Sequence, residues 1–269
     1  MRRLLFIPLL INSALYAISG TNCVKESLEV KEETPFINEV MAKAINGDAE
    51  AQFGIGMAYQ HGLIGSNRDY KKAIQWFMKS AKQGNAKAQF NLAINYHLGH
   101  GVVKSDVESA RWCRLAAEQG HLEAQSALGY AYHQGQGVRT DYKEAVKWFR
   151  KAAERGHVGA QGFLANSYEE GQGVVQDYGE ARVWYKKAAG QGDAQAQYKL
   201  GLFYAKSMGV PLDYAEAYVW FSLSAANGEA KAPKSRDKVA TALSPQVLGQ
   251  AQARAQKIQR AIQAAMKEE

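Results

Sequence analysis

Apolar residues in this chain recur at two scales, every three or four positions locally and every 36 positions along most of its length. Residues 121–156 show the local pattern best. Ala124, Leu128 and Tyr132 fall at i, i+4 and i+8, laying an apolar stripe along one face of a first helix, helix A. Gly135 and Gly137 then interrupt the pattern, and glycine adopts the left-handed conformations that end helices at little cost. Asp141 with Glu144 three residues later is the signature of a capping box, and starts a second helix, B. Ala145, Trp148 and Ala152 share one face of helix B, and Gly156 closes it.

The whole unit recurs. Trp76, Trp112, Trp148, Trp184 and Trp220 stand 36 residues apart, as do Gly84, Gly120, Gly156, Gly192 and Gly228. A fixed period in this range is the mark of stacked supersecondary units. Five copies follow, at residues 48–84, 85–120, 121–156, 157–192 and 193–228, each opening at a cap position held by Asp48, Asn85, His121, His157 or Asp193. The helix B signal repeats as Asp177 with Glu180, Asp213 with Glu216 and Ser105 with Glu108, while Asp69 meets Lys72 and keeps only the cap. The predicted fold is therefore all-α, a solenoid of stacked antiparallel helix pairs. Gly56, Ala93, Gly129, Ala165 and Gly201 are small enough for a neighbouring helix to approach closely, with the tryptophan of helix B expected to fill the adjoining gap. Each buried indole would contribute gross stabilisation of ~5 kcal/mol, so the five tryptophans read as structural.

The ends depart from the repeat. Residues 21–47 are a polar segment followed by a capping helix, and residues 229–269 supply capping helices, the last one starting at Ser244 and Pro245. Residues 1–20 are expected to be a signal peptide. Arg2 and Arg3 precede an apolar stretch over residues 4–17, and Ala17, Ser19 and Gly20 offer cleavage points. The stretch contains Pro8 and falls short of the ~20 residues of a membrane span, so export to the periplasm or beyond is expected, with no stable span after cleavage. Cys23 follows Asn22 rather than a small residue, which argues against lipidation. Cys113 occupies a place held elsewhere by Phe77, Phe149, Tyr185 and Phe221, so it reads as core filling rather than as half of a disulfide with Cys23.

The formal net charge is +7, and its distribution decides what it means. Arg2 and Arg3 lie in the leader, and residues 229–269 carry eight cationic against four anionic side chains, leaving the repeats close to neutral. Phosphate recognition needs a one-sided basic stripe, and this chain has none, so nucleic acid is excluded as a partner.

The pattern of Ala124, Gln125, Leu128, Gly129 and Tyr132 on helix A, Gly135, Gly137, Val138, Asp141 and Tyr142 in the connection, and Ala145, Trp148, Phe149, Ala152, Ala153 and Gly156 on helix B resembles the Sel-one-like repeat (SLR), a cousin of the tetratricopeptide repeat. The resemblance covers residues 48–228, with one extra residue in the first loop and Ser207 in place of a loop glycine. It implies a right-handed, tetratricopeptide-like superhelix that binds other proteins, and exported bacterial members look like adaptors. A cysteine-rich branch carries a cysteine pair in each repeat. Those pairs are missing here, so that branch's disulfides and penicillin binding do not carry over.

In the tetratricopeptide arrangement helix A lines the concave wall, where non-repeating positions would write specificity. Those positions are Phe53, Met57 and Gln60; Phe90, Ile94 and His97; Ser126, Tyr130 and His133; Gly162, Asn166 and Glu169; Tyr198, Leu202 and Ala205. Aromatics among a few polar groups suit an extended or helical peptide, while the alternative is that several pack against neighbouring helices. His97 and His133 are one repeat apart, but no Cys, Asp or third His completes a metal ligand set. No constellation of Ser, His and acids departs from the repeat as a grafted active site would, so neither catalytic residues nor a cofactor is expected. The expected function is an exported, non-enzymatic scaffold for protein interaction. A secreted adaptor acting on host-cell proteins and an envelope hydrolase or β-lactam-reactive protein are the alternatives.

Overall fold

The structure is a computed structural model that describes residues 35–65 and 67–268. The expected signal peptide, most of the polar segment after it and Cys23 lie outside the described residues. Among the described residues all regular structure is helical. The chain forms two compact units, one ending at Ser105 and the other starting at Asp106. Unit 1 holds α1 (Pro35–Ile45), α2 (Ala49–His61), α3 (Tyr70–Lys82) and α4 (Ala86–Leu98). Unit 2 holds α5 (Asp106–Glu118), α6 (Leu122–Gln134), α7 (Tyr142–Glu154), α8 (Val158–Glu170), α9 (Tyr178–Gly190), α10 (Ala194–Lys206), α11 (Tyr214–Ala226), α12 (Ala232–Ala240) and α13 (Pro245–Glu268). Within each unit the helices stack as antiparallel pairs, placing the chain in the α-solenoid class.

Local chemistry sets each boundary. The cap positions accept backbone N–H groups of the first helical turn, as Asp48 does from Ala51 at 2.7 Å and Asn85 from Ala88 at 2.9 Å. A left-handed residue ends every helix A, glycine at Gly62, Gly99, Gly135 and Gly171 but Ser207 in the fifth repeat, where φ is 57° and Oγ donates to the Val210 carbonyl at 2.9 Å. Helix B is capped by Asp69, Asp141, Asp177 and Asp213. In these last three repeats the reciprocal half of the capping box is replaced. The N–H of Asp141 donates instead to the Tyr132 carbonyl at 3.0 Å, with the same bond from Asp177 to Tyr168 and from Asp213 to Tyr204. Glu144 is thereby released to pair with Lys147, and Glu216 with Arg254 of α13.

In the three repeats with glycine at the small position of helix A, the gap over it is filled by the residue after the tryptophan, not by the indole. A Cβ on Gly129 would stand 2.6 Å from the Phe149 ring, and one on Gly56 or Gly201 would meet Phe77 or Phe221 at 2.5 Å. Contact this close requires glycine, and the three phenyl rings are fully buried as a result. The tryptophans take the next layer out. Trp112, Trp148 and Trp184 are buried, whereas Trp76 and Trp220 are half-buried, and Lys79, Lys151 and Lys187 lie over the rings of Trp76, Trp148 and Trp184 at 4.1, 4.2 and 3.8 Å.

A glutamine in each helix A supplies a polar seam. Gln52, Gln89, Gln125, Gln161 and Gln197 are buried, and each donates from Nε2 to a carbonyl eight residues back, at the end of the preceding helix. Three of their Oε1 atoms accept in turn from Gln83, Gln191 and Asn227 at 2.8 to 2.9 Å. These bonds satisfy orphan carbonyls that stacked helix ends would otherwise bury. At the far end α12 is short, with nine residues. α13 closes unit 2 by burying Ala251 and Ala255 against Val219 and Leu223 of α11.

Candidate functional site

The helix A positions that could read a ligand divide sharply between the units. In unit 1, Phe53, Met57 and Phe90 are 5%, 8% and 7% exposed, so they belong to the core and offer no contact surface. Phe53 lies 5.9 Å from the Phe77 ring, and Gln60 Oε1 accepts from buried Asn95 at 3.0 Å. Size is the physical reason for this correction: side chains this large and apolar gain more from burial in the helix stack than from a place facing water. Ile94 and His97 stay half-buried.

Unit 2 keeps more of its face open. Tyr130 of α6 is 36% exposed and lies 5.5 Å from Phe163 of α8. Phe163 in turn stacks flat on Phe149, at 5.0 Å and 15° between planes. An aromatic shelf therefore runs from the buried core to the surface. Asn166, one turn along α8, is half-buried, and Leu202 occupies the equivalent place on α10, also half-buried. A Cβ on Gly162 would meet nothing within 4 Å, so the surface beside Phe163 is open.

Three other predicted positions are committed within the protein. Both ring nitrogens of His133 are engaged, Nε2 with Gln172 at 3.0 Å and Nδ1 with Gln134 at 3.1 Å, while the ring packs edge-on to Tyr142. Tyr198 meets Ser235 of α12 at 3.2 Å and packs on Phe221. Glu169 is held most firmly. Its Oε2 accepts from Tyr185 Oη at 2.6 Å, and Lys199 donates to both carboxylate oxygens at 3.0 Å. Burial first, and the hydrogen bond to Glu169 second, push the Tyr185 phenol well above its ordinary range, so it stays neutral as a donor. The carboxylate therefore presents no free charge to a ligand.

Phe163 and Lys199 escaped the sequence reading. Their row runs Gly54, Asn91, Ala127, Phe163 and Lys199, the sharpest change of residue type along helix A, and that variability was the available signal. Among the described residues no group of His, Cys, Asp and Glu is arranged to hold a metal ion. The buried Cys113 thiol donates to the Ala124 carbonyl at 3.3 Å, and desolvation pushes its pKa up to about 12, which makes it unreactive core filling. A depression of about 690 Å³ at the loops, lined by Arg114, Arg139, Asp141 and Lys143 among others, contains none of the helix A face residues. Among the described residues no helix is long and apolar enough to cross a membrane.

Comparison with known proteins bears on this site. The sequence matches the family described as Sel1 repeat over residues 49–85, 86–121, 122–157, 158–193 and 194–229. A Sel1 repeat protein from Oxalobacter formigenes has a similar structure, with 40% identity and a TM-score of 0.70 over 74% of this chain and 82% of that one. A protective antigen present in uropathogenic Escherichia coli strains, described as displaying an SLR fold, is 34% identical with a TM-score of 0.77, over 88% of this chain and 52% of the antigen. The ERAD-associated E3 ubiquitin-protein ligase component HRD3A of Arabidopsis thaliana is 37% identical over 59 residues. That match spans 22% of this chain and only 9% of the plant protein.

Proposed function

Because the chain belongs to the Sel1 repeat family, we propose that it is a non-catalytic interaction scaffold that binds a peptide segment of another protein on the helix A face of unit 2. Family membership supports protein interaction as the general role, and the similarity to a component of a ubiquitin ligase assembly points the same way. The observation that carries the site is the Tyr130–Phe163 shelf, an aromatic surface continuous with the core, with half-buried Asn166 one turn along α8. Aromatic anchors beside a polar group that can pair with a peptide backbone are the usual means of gripping an extended or helical segment. With Glu169 neutralised by Lys199, the face selects for shape and apolar contact rather than charge.

The basic, then apolar, then small-residue order of residues 1–20 supports export, to the periplasm in the first reading. Likeness to a protective antigen favours release from the cell as the second, and fractionation of the mature chain separates the two. The site is tested by a photo-crosslinking residue at Tyr130 in cells, followed by identification of the adduct. Tyr130→Ala should then weaken that partner by about 30-fold, equivalent to an anchor of ~2 kcal/mol, with thermal unfolding unchanged. Unaltered affinity would remove the face from consideration.

A further inference from the structure

The five helix A caps do the same job with different chemistry. Asp48, Asn85 and Asp193 accept the backbone N–H through a side-chain oxygen, but His121 and His157 accept it through Nδ1. An imidazole nitrogen accepts only while it is unprotonated, so such a cap exists only in the neutral ring. We propose that His157 is an acid-sensitive latch on α8: neutral, its Nδ1 holds the Ala160 N–H at 3.1 Å, and protonation releases the first turn of the helix.

The surroundings of the two histidines single out His157. His121 has a second outlet, because Glu123 Oε2 lies 3.2 Å from its Nδ1 and would accept a proton-bearing ring, and its bond from Ala124 is long at 3.4 Å. Among the described residues no carboxylate lies within ion-pairing distance of His157. Its charged neighbours are Glu123 from α6, whose field favours the protonated ring, and Arg155 at the end of α7, which is turned away onto the Gly120 carbonyl and Gln125. The next cap along, Asp193 of α10, is held on Ala196 at 2.6 Å.

Burial dominates these fields and keeps the His157 pKa below its ordinary 6.5. The sign follows from linkage. A group that binds its proton less readily when folded contributes stability fully above the unfolded value, and loses it as pH falls from 6.5 through the lower folded value. Asp193 cannot imitate this response. Burial raises its pKa, so acid relieves the cost of its buried charge, the opposite direction. Release of α8 holds whether or not its face binds a peptide.

Hydrogen exchange read by NMR on the full chain, at pH about 7 and about 5, tests the latch at single amides. The protection factor of the Ala160 amide should fall about 5-fold on acidification, the equivalent of a cap of ~1 kcal/mol, while that of Ala88, held by the non-titrating Asn85, stays constant. His157→Asn installs the chemistry of Asn85 and should abolish the fall. Constant protection of Ala160 in the wild type, an equal fall at Ala88, or an unchanged fall in the variant would each overturn the proposal. Should the variant leave Ala160 unprotected at both pH values, the wild-type contrast between Ala160 and Ala88 decides alone.

Discussion

The third and fourth repeats of unit 2 come from one template, yet they close their helix pairs by different means. In the third, Gly129 leaves a groove in α6 and the Phe149 ring of α7 lies directly in it. The fourth has Ala165 at the same place, where a methyl would overlap a ring seated as Phe149 is over Gly129. Tyr185 takes the position of Phe149, turns edge-on to Phe203 at 5.8 Å, and sends its hydroxyl to Glu169, which Lys199 of the next helix A also holds. One repeat is shut by an apolar clasp, the other by a polar lock. The lock has a consequence for function, since it draws Glu169 out of the face where it could have read a ligand. Where the fold needs a polar fastening, it takes the residue from the surface available for recognition.

Removing the clasp should have the largest effect. Phe149 touches the Gly129 groove on one side and stacks on Phe163 on the other, so Phe149→Ala empties a fully buried site in two repeats at once. A loss of ~3 to 5 kcal/mol is expected in urea unfolding, together with displacement of the Tyr130–Phe163 shelf. A cost under ~1 kcal/mol would mean that the third repeat closes some other way.

Filling the groove should cost less. In Gly129→Ala the new methyl would lie 2.6 Å from the Phe149 ring and 3.2 Å from the Ala145 carbonyl, and backbone on one side limits the relief available. Overpacking of ~1 to 3 kcal/mol, offset by ~1 kcal/mol of helix propensity, leaves a net loss on the order of 1 kcal/mol in the same measurement.

How much of this contrast the sequence disclosed depends on the kind of information involved. The helix pairs, their caps and the αL turns are local, written within a few residues of one another, and the period repeats the message five times. Even Ser207, out of place for a left-handed residue, was visible as the exception in its column. Which aromatic enters the groove was not local. Trp148 and Phe149 are adjacent and both apolar, and only the direction each Cβ takes from α7 decides that the phenyl goes inward. Yet a trace was present: glycine at positions 56, 129 and 201 accompanies phenylalanine at 77, 149 and 221, whereas alanine at 93 and 165 accompanies Cys113 and Tyr185. The candidate face suffered most. Burial of Phe53, Met57 and Phe90 and the neutralisation of Glu169 depend on contacts across helices, and repeat-to-repeat variation does not distinguish a residue that varies for a ligand from one that varies for a neighbour.

The lock can be weakened without touching either charge. Tyr185→Phe removes only the hydroxyl that donates to Glu169, leaving the carboxylate paired with Lys199, and should cost ~1 kcal/mol. The wild type also carries a pH signature. Because the folded phenol is pushed above its ordinary 10.0, its contribution is complete below that value and lost as pH rises beyond it, a slope the variant should lack in alkaline unfolding. An identical alkaline slope in both proteins would mean that Tyr185 is not the buried titrating group.

The smallest effect should also have the opposite sign. Gly162 lies inside α8 as Gly129 lies inside α6, and composition alone treats the two as the same helix-weakening residue. A Cβ on Gly162 meets nothing within 4 Å, so Gly162→Ala meets no ring and lowers the conformational freedom of the unfolded chain. A gain of ~0.5 to 1 kcal/mol is expected, set against the loss for Gly129→Ala. The pair is informative because both substitutions add one methyl to an interior helical glycine, and propensity therefore cancels between them. What remains is the difference between a groove occupied by a ring and an open surface. Equal responses at the two positions would mean that Phe149 does not rest on Gly129, and the apolar clasp that distinguishes the third repeat from the fourth would have to be abandoned.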